Sequence, residues 1–276
     1  MKRYSTILVW LFLALPLWAA AGSPQQKIQK LLDRPDQKKT QFSIHFVNLD
    51  TGATVFEHYP DQPLMPASNM KLVTTAAAVI QLGADFTYQT TFALLDDDLV
   101  IIAAGDPLTG DPALAEKNQQ SILLIFEQVC QQLQQREITS IAGDLIIDNT
   151  IFDDVRFHPS WPADQANNWY AAEMSALNFN DNCLDLYIVP TQPGRNVEFY
   201  TDPKTAYVNI INHCKTKTAK PNTSWAARTP GTNDITLKGE CYAKQQIFVT
   251  IDRPSAYFGF LLAEYLLDHN IEIKGK

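Results

Sequence analysis

Ser68 and Lys71 stand three residues apart in Pro66-Ala67-Ser68-Asn69-Met70-Lys71, at the head of an alanine-rich run. Residues i and i+3 share one face of a helix, so this spacing brings a lysine amine close to a serine hydroxyl. Such a pair suits acyl transfer: the serine oxygen attacks a carbonyl while a neutral amine takes its proton. Pro66 pins the entry, and helix formers with apolar residues on one side continue to Leu82, so the pattern predicts a largely buried helix over residues 68–82. The positive end of the helix dipole and partial burial both disfavour an ammonium, which predicts a lowered pKa for Lys71. The Ser68 backbone N–H is the natural first donor of an oxyanion hole, with a second to come from a distant strand.

A bare S-x-x-K arises about once by chance in a chain of this length, so its setting carries the weight. It occurs only once here, it opens a helix, and it follows a strand-like stretch, residues 42–49, with an Asp50-Thr51-Gly52 turn. The N-terminus reads as a secretory signal over residues 1–21: Lys2 and Arg3, an apolar run over residues 7–18 broken by Pro16, then Ala19-Ala20-Ala21 before Gly22. The run is short for a bilayer span, so the mature chain is expected to be soluble and extracytoplasmic, without stable membrane insertion.

With 276 residues, 46% hydrophobic and 19% charged, the chain can bury a sizeable core in one large domain or two smaller ones. A net charge of -8 argues against a nucleic-acid partner. Cys130, Cys183, Cys214 and Cys241 lack metal-ligand spacing, and Asp96-Asp97-Asp98 lacks the alternating oxygens of a calcium loop, so no metal or other cofactor is expected. Cys214 and Cys241 flank a polar segment, residues 215–234, and a disulfide closing that loop is the favoured pairing.

Beyond the first helix, β-type runs over residues 88–95 and 99–104 lead to Gly105-Asp106-Pro107 and Gly110-Asp111-Pro112, then to one long amphipathic helix over residues 112–135. Residues 138–148 read as a turn into a strand, and residues 183–190, 197–201, 206–211 and 247–251 as further strands. The C-terminal helix, residues 258–269, and its sequel through Gly275 echo the earlier helix and its sequel through Gly143. In the first copy a strand follows the glycine, so the second copy reads as a domain left incomplete.

The Pro-Ala-Ser-x-x-Lys helix, Gly105-Asp106-Pro107, Gly143-Asp144-Leu145-Ile146-Ile147-Asp148 with Phe152-Asp153, Trp161-Pro162 and Asn178-Phe179-Asn180-Asp181-Asn182-Cys183 together resemble one family. It is the D-alanyl-D-alanine carboxypeptidase/endopeptidase family of class C low-molecular-mass penicillin-binding proteins. The resemblance implies an α/β (α+β) fold: a partial serine β-lactamase/transpeptidase-like domain with a large, mostly β inserted region. The implied boundaries are residues 22–89 for the first segment of that domain, 90–247 for the insert and 248–276 for the return, truncated. It implies Ser68 as nucleophile and Lys71 as base. Asp164 and Tyr170 would hold the amino-bearing end of a substrate side chain, where a carboxylate beside an aromatic face suits an ammonium.

Members of this family complete the site with S-x-N and K-T-G motifs, and neither occurs in this chain: no serine precedes an asparagine by two, and every Lys-Thr lacks the following glycine. Tyr207-Val208-Asn209 mimics the Y-x-N of related β-lactamases but is expected to be structural. Two readings follow. One is a periplasmic serine carboxypeptidase or endopeptidase for peptidoglycan stem peptides, with β-lactam antibiotics as covalent inhibitors once the site is completed, and inactive or nearly so in this form. The other is a non-catalytic cell-wall binding or assembly module; a β-lactamase or esterase is a third.

Overall fold

The computed structural model describes residues 22–276, so the expected signal peptide lies outside the described residues. The chain divides into two compact units at Asp85/Phe86.

In the first unit, Ser23 and Gln26 cap helix α1 (Pro24–Leu32) reciprocally. Strands β1 (Ile44–Val47) and β2 (Thr54–His58) form an antiparallel hairpin. Its turn is closed by the Asn48 side chain, which accepts from the Asp50 and Thr51 N–H groups at 2.9 and 3.1 Å. Helix α2 (Met70–Leu82) stops at Gly83, whose φ of 88° needs a residue without a Cβ. No described residue before Leu99 is fully buried, which overturns the expectation of a buried helix: Leu72 and Ile80 of α2 are 73% and 76% exposed. An apolar stripe must pack against another layer, and the short hairpin and α1 do not cover this one.

The second unit runs β3 (Thr91–Leu95), β4 (Asp98–Ile102), α3 (Pro112–Asn118), α4 (Leu124–Gln135), β5 (Ser140–Ile141), β6 (Leu145–Asp148), β7 (Cys183–Val189), β8 (Glu198–Asp202) and β9 (Asn209–Asn212). It continues through β10 (Lys215–Thr216), β11 (Trp225–Arg228), β12 (Asp234–Lys238), β13 (Glu240–Cys241), β14 (Gln245–Thr250), α5 (Pro254–Asp268) and β15 (Glu272–Ile273). Three sheets of three strands, ordered β3-β4-β6, β14-β7-β8 and β11-β12-β9, are supplemented by the pairs β5/β15 and β10/β13. Helices α4 and α5 pack together over the first sheet, and Phe126 anchors that core, stacked on Phe179 at 5.1 Å and edge-on to Phe258 at 5.0 Å.

Two expectations change here. The helix of residues 112–135 is two helices, because Gln119 takes a left-handed conformation (φ 55°) that ends α3. The four cysteines are all unpaired and buried. Thr216, not Cys214, stands opposite Cys241, so the favoured pair is out of register; the Cys214 thiol donates to the Lys215 carbonyl and the Cys241 thiol to the Ala243 carbonyl. Helix α5 packs on α4 and β6 within the second unit.

Candidate active site

The chain enters the serine segment through Pro66 and then Ala67, whose φ of 45° lies where residues with a Cβ rarely sit. That conformation costs on the order of 1 kcal/mol and falls on the residue directly before Ser68. Residues Ala67–Asn69 form one 3-10 turn, and the Met70 N–H donates to both the Ala67 and Ser68 carbonyls, so the turn runs directly into α2. Ser68 therefore sits at the N-terminal end of a continuous helical segment, with Lys71 in the first turn of α2. Backbone donors at such an end lack intrahelical partners, which suits the Ser68 N–H to an oxyanion. Both residues are exposed, so the burial invoked for Lys71 is not provided by the described residues.

Asp164 and Tyr170 lie in the second unit, on successive 3-10 turns, Ala163–Gln165 and Trp169–Ala171, and both are exposed. The Tyr170 hydroxyl accepts from the Asn168 side chain at 2.9 Å, and its ring meets that of Trp169 edge-on at 5.8 Å. Their loop is pinned from below. Thr250 donates to the Ala166 carbonyl at 2.7 Å, and the Arg228 N–H donates to the Asn167 side chain at 2.9 Å.

Immediately after the Tyr170 turn comes a feature with no local signal in the sequence. The Glu173 carboxylate is fully buried, accepting from the Arg156 guanidinium at 2.7 Å and from the Arg253 backbone N–H at 3.0 Å, with the Arg228 guanidinium 3.6 Å away. Asp252 completes the cluster, 3.5 Å from Arg156 and 3.6 Å from Arg228. Burial pushes the Glu173 carboxyl above its usual range, against the pull of the Arg253 N–H and the guanidiniums. The four side chains come from residues 156, 173, 228 and 252, so no spacing rule could have joined them. They tie both ends of the 156–173 segment, and hence Asp164 and Tyr170, to the strands beneath.

Tyr207 and Asn209 both bond within the second unit. The Tyr207 hydroxyl donates to the Asp252 carbonyl at 3.1 Å, and Asn209 donates to the Asp234 carboxylate at 3.0 Å. Phe152, Asp153, Arg156 and Arg253 help to line an open cavity of about 820 Å³. Among the described residues no cluster of three His, Cys, Asp or Glu side chains could hold a metal ion, and no helix is long and apolar enough to cross a membrane.

Ser68 and Lys71 thus share one helical N-terminus, and the comparisons with known proteins give the chain its family. The model of the D-Ala-D-Ala carboxypeptidase 3 (S13) family matches residues 24–276, and the chain belongs to this family. It is 26% identical over 269 residues to a D-alanyl-D-alanine carboxypeptidase of Actinomadura sp. (strain R39), covering 91% of this chain and 48% of that protein. It is also 23% identical over 145 residues to D-alanyl-D-alanine carboxypeptidase DacB of Haemophilus influenzae, covering 50% of this chain and 28% of that one. The crystal structure of penicillin binding protein 4 from Haemophilus influenzae shares the fold, with a TM-score of 0.64 at 19% identity over 85% of this chain and 52% of its own. This chain thus spans about half the length of the relatives it matches.

Proposed function

We propose that this chain carries the nucleophile and base of a serine D-Ala-D-Ala carboxypeptidase or endopeptidase acting on peptidoglycan stem peptides outside the cytoplasm. Ser68 Oγ attacks the carbonyl of the terminal D-Ala bond while Lys71 Nζ, in its neutral form, takes the hydroxyl proton. The oxyanion forms against the Ser68 N–H. Collapse of the tetrahedral intermediate expels the amine of the leaving residue, which takes the proton from Lys71, and water then hydrolyses the acyl-enzyme. Asp164 and Tyr170 are proposed to receive a substrate ammonium, as carboxylate and aromatic wall. No cofactor or metal takes part in this scheme.

The reading is carried by the continuous turn from Ala67 into α2, which places Ser68 and Lys71 at one helical N-terminus within a chain of this family. The exposure of both residues decides how far it goes. Electrostatic stabilisation of an oxyanion depends on preorganised donors in a site that excludes water. With Ser68 and Lys71 open to solvent and neither S-x-N nor K-T-G present, the isolated chain is expected to be inactive or nearly so.

One relative's structure was solved with a bound β-lactam, which makes a labelled penicillin the direct probe. Slow covalent labelling of the 276-residue chain that is abolished in Ser68→Ala supports the assignment of the nucleophile. Rapid release of D-alanine from a pentapeptide by the same chain would refute the expectation of inactivity. Labelling that persists in Ser68→Ala would refute the nucleophile itself. The exposed site also favours a second reading, a cell-wall binding module without catalysis. Cosedimentation with peptidoglycan that is unchanged in Ser68→Ala, with no labelling, would support that reading instead.

A further inference from the structure

Strand β7 packs Leu184, Leu186 and Ile188 into the core. Successive side chains of a strand point to opposite faces, so Asp185 and Tyr187 stand on the other face of the β14-β7-β8 sheet. Register sets their neighbours: Phe248 and Asp202 flank Asp185, while Gln246 and Tyr200 flank Tyr187. Just before β7, Asn180, Asp181 and Asn182 take φ values of 50°, 54° and 54°, a left-handed run that their short polar side chains tolerate better than most. Together with Trp169, this run closes one end of the sheet face into a cavity of about 240 Å³, whose lining includes Trp169, Asn180, Asp181, Asp185 and Phe248.

The open polar atoms of this cavity are acceptors. Asp185 is 6% exposed; its Oδ1 accepts from the Asn180 amide at 3.4 Å and its Oδ2 from the Gln246 amide at 3.1 Å. A carboxylate has roughly four acceptor positions, so about half of them stay open. Asn180 is 2% exposed, and its amide nitrogen serves the Cys183 carbonyl and Asp185, while its Oδ1 has no donor among the described residues. The Asp181 carboxylate accepts no hydrogen bond among the described residues.

Positive charge is what the cavity lacks. Buried charges are normally paired. Among the described residues the other buried carboxylates, Glu173 and Asp252, sit in the arginine cluster, whereas Asp185 has no cation within ion-pair distance and no lysine or arginine lines the cavity. Burial pushes the Asp185 carboxyl up against the pull of the Asn180 and Gln246 amides, with Asp202 and Asp181 adding to it. Lys244, on the same face, is engaged elsewhere: its Nζ donates to the Tyr200 hydroxyl at 2.9 Å and lies 5.2 Å from the centre of the Tyr187 ring. This sheet face thus already holds one ammonium against aromatic rings, one row away from an acidic pocket that holds none.

We propose that this cavity binds an aliphatic primary amine, with the ammonium on Asp181, Asp185 and Asn180 Oδ1 and the alkyl stem against Trp169 and Phe248. A primary ammonium is a donor-only cation with three N–H groups, which matches three acceptors; a quaternary ammonium offers none, and an alcohol lacks the charge. The exposed rings of Trp169 and Phe248 cover methylenes and favour a nearby cation. The site is separate in its residues from Asp164 and Tyr170. It uses neither Ser68 nor Lys71, so failed amine binding and failed penicillin labelling are distinct results.

The test follows the Trp169 indole and Asn180 side-chain amide resonances of the full chain by NMR at neutral pH. Titration with n-butylamine should shift both saturably, whereas n-butanol and tetramethylammonium at the same concentrations should not. Asp185→Asn and Asp181→Asn should each weaken amine binding about tenfold or more, as expected for a lost charge-assisted hydrogen bond, and Phe248→Ala about threefold. Asp181→Asn takes a repelling charge out of the unliganded protein, so its loss of binding is not a loss of fold. Two further ligands identify the source: tighter binding of cadaverine points to a free diamine, and tighter binding of Nα-acetyl-Lys-D-Ala-D-Ala to a peptide side chain. Equal binding of n-butanol, saturation by tetramethylammonium, or unchanged affinity in both aspartate variants would overturn the proposal. So would calcium bound at Asp181 and Asp185 in preference to the amine.

Discussion

Truncating Glu173 to alanine tests the buried charge cluster beneath the Asp164–Tyr170 loop. The substitution leaves the Arg228 guanidinium, 4% exposed, with Asp252 at 3.6 Å as its one carboxylate contact, and removes the acceptor of the Arg253 N–H at the start of α5. Removing one partner of a buried ion pair costs about 3–5 kcal/mol, because the other charge stays in a site it cannot solvate. A loss of about 4 kcal/mol against a urea slope of about 2 kcal/mol/M lowers the midpoint by about 2 M. Tryptophan fluorescence suits the measurement, since Trp161, Trp169 and Trp225 all lie in the second unit. Replacing both Glu173 and Arg228 by methionine removes the stranded charge and leaves Arg156 and Asp252 to pair. That double variant should recover most of the loss, with a coupling of about 2 kcal/mol or more. A Glu173→Ala cost below about 1 kcal/mol, or strict additivity in the double variant, would refute the view that these groups act as one unit.

Burial and the neighbouring Asp111 push the Asp181 carboxyl above its ordinary value, so the folded state holds its proton to higher pH than the unfolded chain does. Stability from this group is full below the unfolded pKa and is lost as pH rises through the raised folded value. Asp181→Asn removes that loss and suits the left-handed backbone at φ 54°, so it should be more stable than the parent at pH 7, with the gap closing toward pH 3 in urea melts. Gly110→Ala should destabilise by about 2–4 kcal/mol, because its φ of 68° strains any L residue and the new Cβ would meet the buried Phe179 ring; a change under 1 kcal/mol would contradict that packing. Phe126→Ala should cost about 3–5 kcal/mol by emptying the centre of the aromatic cluster, read from the same melts. Burial and nearby carboxylates push the Cys183 thiol up to about 12, so native protein at pH 8 should resist a thiol reagent that modifies it fully after unfolding.

What the sequence disclosed was mostly local. The proline before Ser68 and the alanine-rich run through Leu82 mark α2, and the stretch before Asp50 with its turn gives β1 and the bend after it, though not β2. The run at residues 183–190 reads as a strand, which the structure places at the centre of its sheet as β7. The α3–α4 break was not legible, since a glutamine in the left-handed region carries none of the glycine or proline signal that marks such stops. Nor was the exposure of α2: periodicity shows which side needs burial, but only the fold shows whether a partner layer lies over it.

The candidate site divides along the same line. Ser68 and Lys71 are brought together by one turn of helix, so their spacing and its local setting were enough to single them out. Asp164 and Tyr170 came only from resemblance, because what holds them is distant in sequence: Thr250 beneath Ala166, Arg228 beneath Asn167, and Glu173 gripping Arg156 and the start of α5. A nucleophile can be carried by a short motif because its activation is a local matter of dipole and neighbouring amine. The loop proposed here to receive a substrate ammonium rests on a buried ion cluster whose members lie as far apart as residues 156 and 252. Loosening the cluster should therefore alter what the 161–170 loop binds before it alters how Ser68 reacts. A Glu173→Gln variant that lost penicillin labelling at Ser68 with its second unit still folded would contradict this separation of roles.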